Sequence, residues 1–431
     1  MTKTGRRVAI TGIGLVTPLG DSTSETWQSL ISGRSGITPI SLFDATGFPV
    51  RIAAEVKGDA FMARVGSRRL IKAACRSHLM ALAAADEALE DAQCRPTPVD
   101  AARWGCSVGT GMTNVSYAEL ATVHREAVQN AELDTQQLML SSVANDPMAF
   151  CRSQPAQGVS LLARRYGIEG YCSCVHTACA SGGQAVGTGL KLIRRGDCDR
   201  VLVGGFDSMV SPIGLAGFCL LNALSPDNDT PEKASRPFDA TRNGFVLGEG
   251  AGFLVLEEWE LARQRGAKIY AELAGECNSL SGYRITDSHP SGDGPIQAMR
   301  QALHCGSASP HEVDYLNAHG TSTAMNDRSE AAAVRAVFGS HVGALAVSST
   351  KSLMGHLIAA AGAVEAGVCA LAIHHQQVPY NANLHIDDPD CNLNFVRDEA
   401  RAMPIRLAMS NSLGFGGSNN CLLFRQPELC R

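Results

Sequence analysis

Residues 170–204 read GYCSCVHTACASGGQAVGTGLKLIRRGDCDRVLVG. The span 170–177 has the β-prone pattern of a strand, 180–194 is dense in small residues at helical spacing, and 200–204 returns to strand. Strand, helix and strand over this length form a β–α–β unit, and such a crossover joins parallel neighbours. The fold class is α/β.

Working outward, VAITGIGLVTPLG at 8–20 predicts an opening strand and turn, and 21–31 a capped helix with Trp27 and Leu30 facing inward. Residues 71–92 predict one long helix, and 106–111 a buried strand with a glycine turn. The span 113–158 is the least regular; it is rich in Asn, Gln and Ser, carries Met139 and Met148, and is expected to line or cap a pocket. The second half repeats the opening order, with a short strand at 344–349 before the Gly/Ala-rich helix GHLIAAAGAVEAGVCALAIH at 355–374. Strands at 406–413 and 419–424 would close a second sheet. No linker separates the halves, so a duplicated, single compact body is expected.

Composition sets limits on function. The chain has 431 residues, 45% hydrophobic and 18% charged, with 43 glycines, which is globular usage for two domains or one large duplicated one. A net charge of −5, from 37 basic and 42 acidic residues, supplies no field for nucleic acid. No window approaches 18 uninterrupted apolar residues, which argues against a membrane span. The basic start, Lys3, Arg6 and Arg7, leads into a strand rather than a leader, and 15 cysteines then point to a reducing cytoplasm.

Cys172, Cys174, His176 and Cys179 have a spacing that zinc could use, C-x-C-x-H-x-x-C. Positions 172, 174 and 176 are spread along one face of a strand and do not converge, so buried strand thiols and a core or pocket histidine are expected, with no metal. Cys179 differs. In VHTACASGG it stands where a strand turns into a helix, and the positive end of the helix dipole there favours thiolate.

Three further motifs carry reactive groups. His319 sits in YLNAHGTST at 315–323, in a loop before hydroxyls. His356 sits in TKSLMGHLIAAAGAVE at 350–365, at the head of a small-residue helix, with Lys351 five residues earlier. NSLGFGGSNN at 411–420 surrounds Phe415 with Gly414, Gly416 and Gly417, a loop that lets backbone N–H groups approach a ligand.

Taken together, TACASGG, NAHGTST, TKSLMGH and NSLGFGG, with 236–273 and the opening strand, resemble the elongating β-ketoacyl-acyl-carrier-protein synthases, type II ketosynthases of the thiolase superfamily. The likeness covers nearly the whole chain except 113–158. It implies a thiolase-like fold, two α/β halves in a layered α-β-α-β-α arrangement with helices between two sheets: residues 1–262 would carry the nucleophile and 263–431 both histidines. It implies an acyltransferase without cofactor, working by decarboxylative Claisen condensation of an acyl group on Cys179 with a malonyl unit on acyl carrier protein. His319 and His356 would hold the enolate, backbone N–H groups of Cys179 and Phe415 the oxyanion, and Lys351, paired with Glu365, would orient and polarise the site. Thr321 and Thr323 would bind the phosphopantetheine arm, Phe245 and Phe415 would gate the malonyl and acyl pockets, and Met112 would shape the acyl pocket.

Arg68, Arg69 and Lys72 are candidates for carrier-protein docking. The partner subunit would be an identical chain or a related ketosynthase-like chain, the latter in a polyketide or polyene system with a chain-length partner. Ala324 replaces the family's usual Pro and would loosen its loop. A non-catalytic partner role is disfavoured by the presence of Cys179, His319 and His356 together.

Overall fold

The structure is a computed structural model that describes residues 5–111, 116–129, 131–144, 146–287 and 289–427. Ten strands form its main sheet: β1 Val8–Val16, β2 Trp104–Thr110, β3 Cys172–Val175, β4 Arg200–Ser208, β5 Glu249–Glu258, β6 Ala271–Leu280, β7 Tyr315–Asn317, β8 Ala346–Ser348, β9 Leu407–Leu413 and β10 Ser418–Arg425. Their spatial order is β8-β7-β9-β10-β6-β1-β5-β4-β2-β3.

Split between β6 and β1, each half has its first strand beside its fifth, then its fourth, second and third. Directions match as well: β1·β5 and β5·β4 are antiparallel while β4·β2 and β2·β3 are parallel, and β6·β10, β10·β9, β9·β7 and β7·β8 repeat that series. Duplication is thus written in the topology. The two expected sheets are joined, because β1 and β6 pair at Ala9↔Glu272 and Ile10↔Ala271. Between β5 and β6 the chain runs through a short helix, Trp259–Gln264, and the expected boundary after residue 262 falls inside it.

Six helices complete the layers: α1 Arg76–Asp91, α2 Gln157–Tyr166, α3 Ser181–Arg195, α4 Asp293–Cys305, α5 Ala324–Phe338 and α6 Ala361–His375. α3 and α6 pack on each other and on strands of both halves, forming the middle layer, while α1 covers the first half outside and α4 with α5 the second. The contact is close because it is glycine on backbone. A Cβ on Gly182 would lie 2.8 Å from the Ala359 carbonyl, and one on Gly362 2.6 Å from the Gly183 nitrogen. The span 358–375 is long and apolar enough to cross a membrane, yet 89% of it is buried inside the protein, as befits a central core helix.

Several expectations need correction. Residues 71–92 are two helices, Arg68–Ala73 and α1, because Ala74 is extended and Cys75 caps α1, its N–H donating to His78 Nδ1 at 3.3 Å. The irregular span is largely helical, with Tyr117–Ala127, Thr135–Ala144 and Pro147–Ser153; Ser116 and Asp146 cap the first and last. Cys172 and His176 are exposed and Cys174 half-buried, since β3 is the last strand of the sheet among the described residues. Cys172 is thus no buried thiol and His176 no core histidine, while Cys174 packs on the margin of the core.

Candidate active site

The strand β3 ends in a tight turn, Ala178–Ala180, and Cys179 is its middle residue, immediately before α3. Ala178 has a φ of 50°, a left-handed conformation that alanine adopts only under constraint. A second turn, Ile358–Ala360, precedes α6, and Ile358 has a φ of 49°. His356 comes just before it.

These turns bring the two halves together. His356 Nε2 lies 3.0 Å from Cys179 Sγ, and the His319 ring stands edge-on to His356 at 5.3 Å between centroids. All three side chains are buried. The Ile358 N–H donates to His356 Nδ1 at 3.2 Å, so Nδ1 is an acceptor and the neutral ring carries its hydrogen on Nε2, facing the sulfur. His356 is therefore a donor at this centre. The reactive atoms of Cys179, His319 and His356 fall within 4.8 Å of one another, a spacing a metal could span, but a protonated Nε2 offers it no lone pair.

Electrostatics come from burial and from Lys351. Both imidazoles are held well below the usual histidine range, chiefly by burial and then by the Lys351 charge, so both stay neutral. The Cys179 thiol is pushed up to about 12 by burial, partly offset by Lys351 and the Phe415 N–H. Burial thus opposes the stabilisation of thiolate expected at the helix terminus. Lys351 is buried and bonds Glu365 Oε1, while Glu365 itself is pushed up to about 7, first by burial and against the pull of Lys351.

A cavity of about 260 Å³ opens on Cys179. It is lined by His319, His356, Thr321, Thr323, Phe245 and Phe415 among others. The two threonine hydroxyls touch at 2.9 Å, and Phe245 stands edge-on to His356 at 5.3 Å. Gly414 approaches so closely that a Cβ there would sit 2.8 Å from the Thr177 carbonyl; that approach brings the Phe415 N–H onto the sulfur.

At Ala324 the buried Arg242 holds the carbonyls of Thr323 and Ala324 at 3.3 and 3.2 Å. No described residue of 116–158 lines this cavity. Met112 lies outside the described residues. Arg68, Arg69 and Lys72 are exposed on their own short helix.

Sequence reasoning missed the acids that support this site. Glu330, wholly buried, accepts the N–H groups of His319 and Gly320, each at 2.8 Å; Asp327 accepts that of Thr321 at 3.0 Å. Both lie on the buried face of α5 among alanines, and that periodic placement was a readable signal. Asp207 is the penultimate residue of β4.

Residues 5–262 match the β-ketoacyl synthase N-terminal domain family and residues 270–385 its C-terminal domain family. The chain belongs to the β-ketoacyl synthase family. It is 40% identical over 419 residues to a 3-oxoacyl-[acyl-carrier-protein] synthase 2 of Coxiella burnetii, covering 97% of this chain and 98% of that one. Among solved structures it resembles the ishigamide ketosynthase/chain length factor, with TM-score 0.87, 33% identity and coverage of 98% and 100%. It also resembles a type II polyketide ketosynthase solved with its acyl-carrier protein and bound to the hexaketide, with TM-score 0.86, 30% identity and coverage of 99% and 100%. Like its family, this ketosynthase is a carbon–carbon-condensing acyltransferase of thiolase-like fold.

Proposed function

We propose that this ketosynthase elongates an acyl chain by one malonyl unit, with both partners delivered on acyl carrier protein in fatty-acid or polyketide synthesis. The 3.0 Å approach of His356 Nε2 to Cys179 Sγ carries the reading, because it puts a donor and a nucleophile from opposite halves at one point. In the first step the sulfur attacks the acyl thioester carbonyl, and the N–H groups of Cys179 and Phe415 hold the oxyanion. Collapse expels the carrier thiolate, which takes up the Cys179 proton and leaves acyl-Cys179. In the second, malonyl thioester loses carbon dioxide and its electron pair moves onto the thioester oxygen, held by Nε2–H groups of His319 and His356. The enolate carbon then attacks acyl-Cys179, and the sulfur leaves as thiolate and takes up a proton from water to restore the thiol. Neutral imidazoles suit this role, since a donor that stays uncharged does not bind the malonyl carboxylate as an ion pair.

Lys351 and Glu365 act by orientation and field, and Thr321 and Thr323 supply hydroxyls to the amides of the pantetheine arm. Phe245 and Phe415 gate the pocket. No separate cofactor enters this scheme, and the enzyme works in the cytoplasm. Arg68, Arg69 and Lys72 offer positive charge to the acidic carrier. Tyr117, Leu120, Met139, Leu140 and Phe150 are exposed on the helices of 117–153, an apolar face that fits a partner subunit, identical or ketosynthase-like.

The test is to incubate the purified protein with acyl carrier proteins bearing a panel of acyl groups and weigh the intact chain. An acyl mass on the unmutated protein that is absent from Cys179→Ala is expected; acylated Cys179→Ala would refute the assignment.

A further inference from the structure

Asp207 is a buried acid, 1% exposed, that no step above uses. It lies near the C-terminal end of β4, where the parallel strands meet the two turns of the site. Its Oδ1 accepts the Ser208 N–H at 2.8 Å, and its Oδ2 reaches across to the second half and accepts the Ala359 N–H at 3.1 Å. The surroundings are shaped for it: a Cβ on Gly111 would lie 2.0 Å from Oδ2, and one on Gly205 2.8 Å from the Ala359 carbonyl.

Ala359 directly follows Ile358, whose left-handed backbone is strained and persists only where neighbours over-determine it. That unusual conformation aims the Ile358 N–H at His356 Nδ1.

We propose that Asp207 is a positioning residue: by holding the Ala359 N–H it keeps the Ile358 turn in place, and so fixes the hydrogen of His356 on Nε2. The proposal rests on the reading of His356 as a donor. Without the carboxylate, the Ile358 N–H drifts from Nδ1, nothing opposes a hydrogen there, and a share of the rings presents a lone pair to the cavity instead. Burial pushes Asp207 up to about 7 against the pull of its two N–H partners, yet charged or neutral it retains an oxygen for Ala359.

The test is the ring-nitrogen spectrum of the full-length protein labelled with ¹⁵N-histidine, with His356 assigned by its loss in His356→Gln. In the unmutated protein His356 is expected in the Nε2–H form with Nδ1 as acceptor. Asp207→Ala is expected to give a mixture of both forms, and kcat for malonyl-thioester decarboxylation to fall about tenfold or more at unchanged KM, short of the about 10²–10³ of complete donor loss. Asp207→Asn, which can still turn its oxygen to Ala359, restores the single form. An unchanged tautomer in Asp207→Ala overturns the proposal. If that variant does not fold, an Nδ1–H ring in the unmutated protein overturns it equally. The spectrum needs no substrate, so a protein with the expected tautomer but no decarboxylation would refute the function and leave the positioning role standing.

Discussion

In the first half Ala178–Cys179–Ala180 leads from β3 into α3, and in the second Ile358–Ala359–Ala360 leads into α6. Each turn begins on a non-glycine residue in left-handed conformation, and each has a histidine two residues before it, His176 or His356. The backbones correspond position by position. Their surroundings do not: β3 ends the described sheet and His176 is exposed, whereas His356 is held against the first half, its N–H donating to the Val246 carbonyl at 2.8 Å and its carbonyl accepting the Gly248 N–H at 2.9 Å. Buried in this way, His356 becomes a neutral donor, while the matching turn of the first half contributes a thiol in place of Ala359. One duplicated turn thus supplies both sides of a reaction.

The comparison can be broken at the sulfur. A thiol pushed up to about 12 is protonated at neutral pH, so its reactive fraction should grow about tenfold per pH unit. Iodoacetamide labelling of Cys179, followed by peptide mass spectrometry, is expected to accelerate about a hundredfold from pH 7 to 9. A flat profile would mean that the helix terminus overcomes burial after all.

The helix crossing that joins the turns gives a smaller effect. Gly362→Ala places a methyl group 2.6 Å from the Gly183 nitrogen, and overpacking of this kind costs about 1–3 kcal/mol. Denaturant unfolding checks the loss; an unchanged midpoint would show that α3 and α6 can separate freely. Smallest is the strain itself. Ala178→Gly removes a Cβ from a left-handed residue and should stabilise the protein by up to about 1 kcal/mol, whereas Ile358→Gly also gives up a buried side chain and should destabilise it. Thermal unfolding of the pair shows whether the two turns are strained alike.

Cys179, His319, His356 and Phe415 were legible because each stands in a short motif whose neighbours are small or glycine, and the sequence echo foretold the duplicated topology. The division of 71–92 was not, because Cys75 caps α1 through an unusual partner, the ring of His78. Exposure at Cys172 and His176 was hidden too, since residue pattern does not reveal which strand ends a sheet. Asp207 escaped notice because a lone acid in an apolar run looks like a surface residue until its backbone partner Ala359, far off in sequence, is in place. Glu330, by contrast, was readable from its periodic placement on the buried face of α5. Burial works against the thiolate expected at the helix terminus: a helix terminus acts over one turn, while burial acts on the whole charge.

Decarboxylation of malonyl thioester tests the central claim most directly, because it isolates the second half's donors from the first half's nucleophile. Carbon dioxide release should survive in Cys179→Ala and fall by about 10²–10³ when either His319 or His356 becomes alanine, the cost of losing one such donor. Release that continues undiminished in the His319→Ala, His356→Ala double variant would contradict the account.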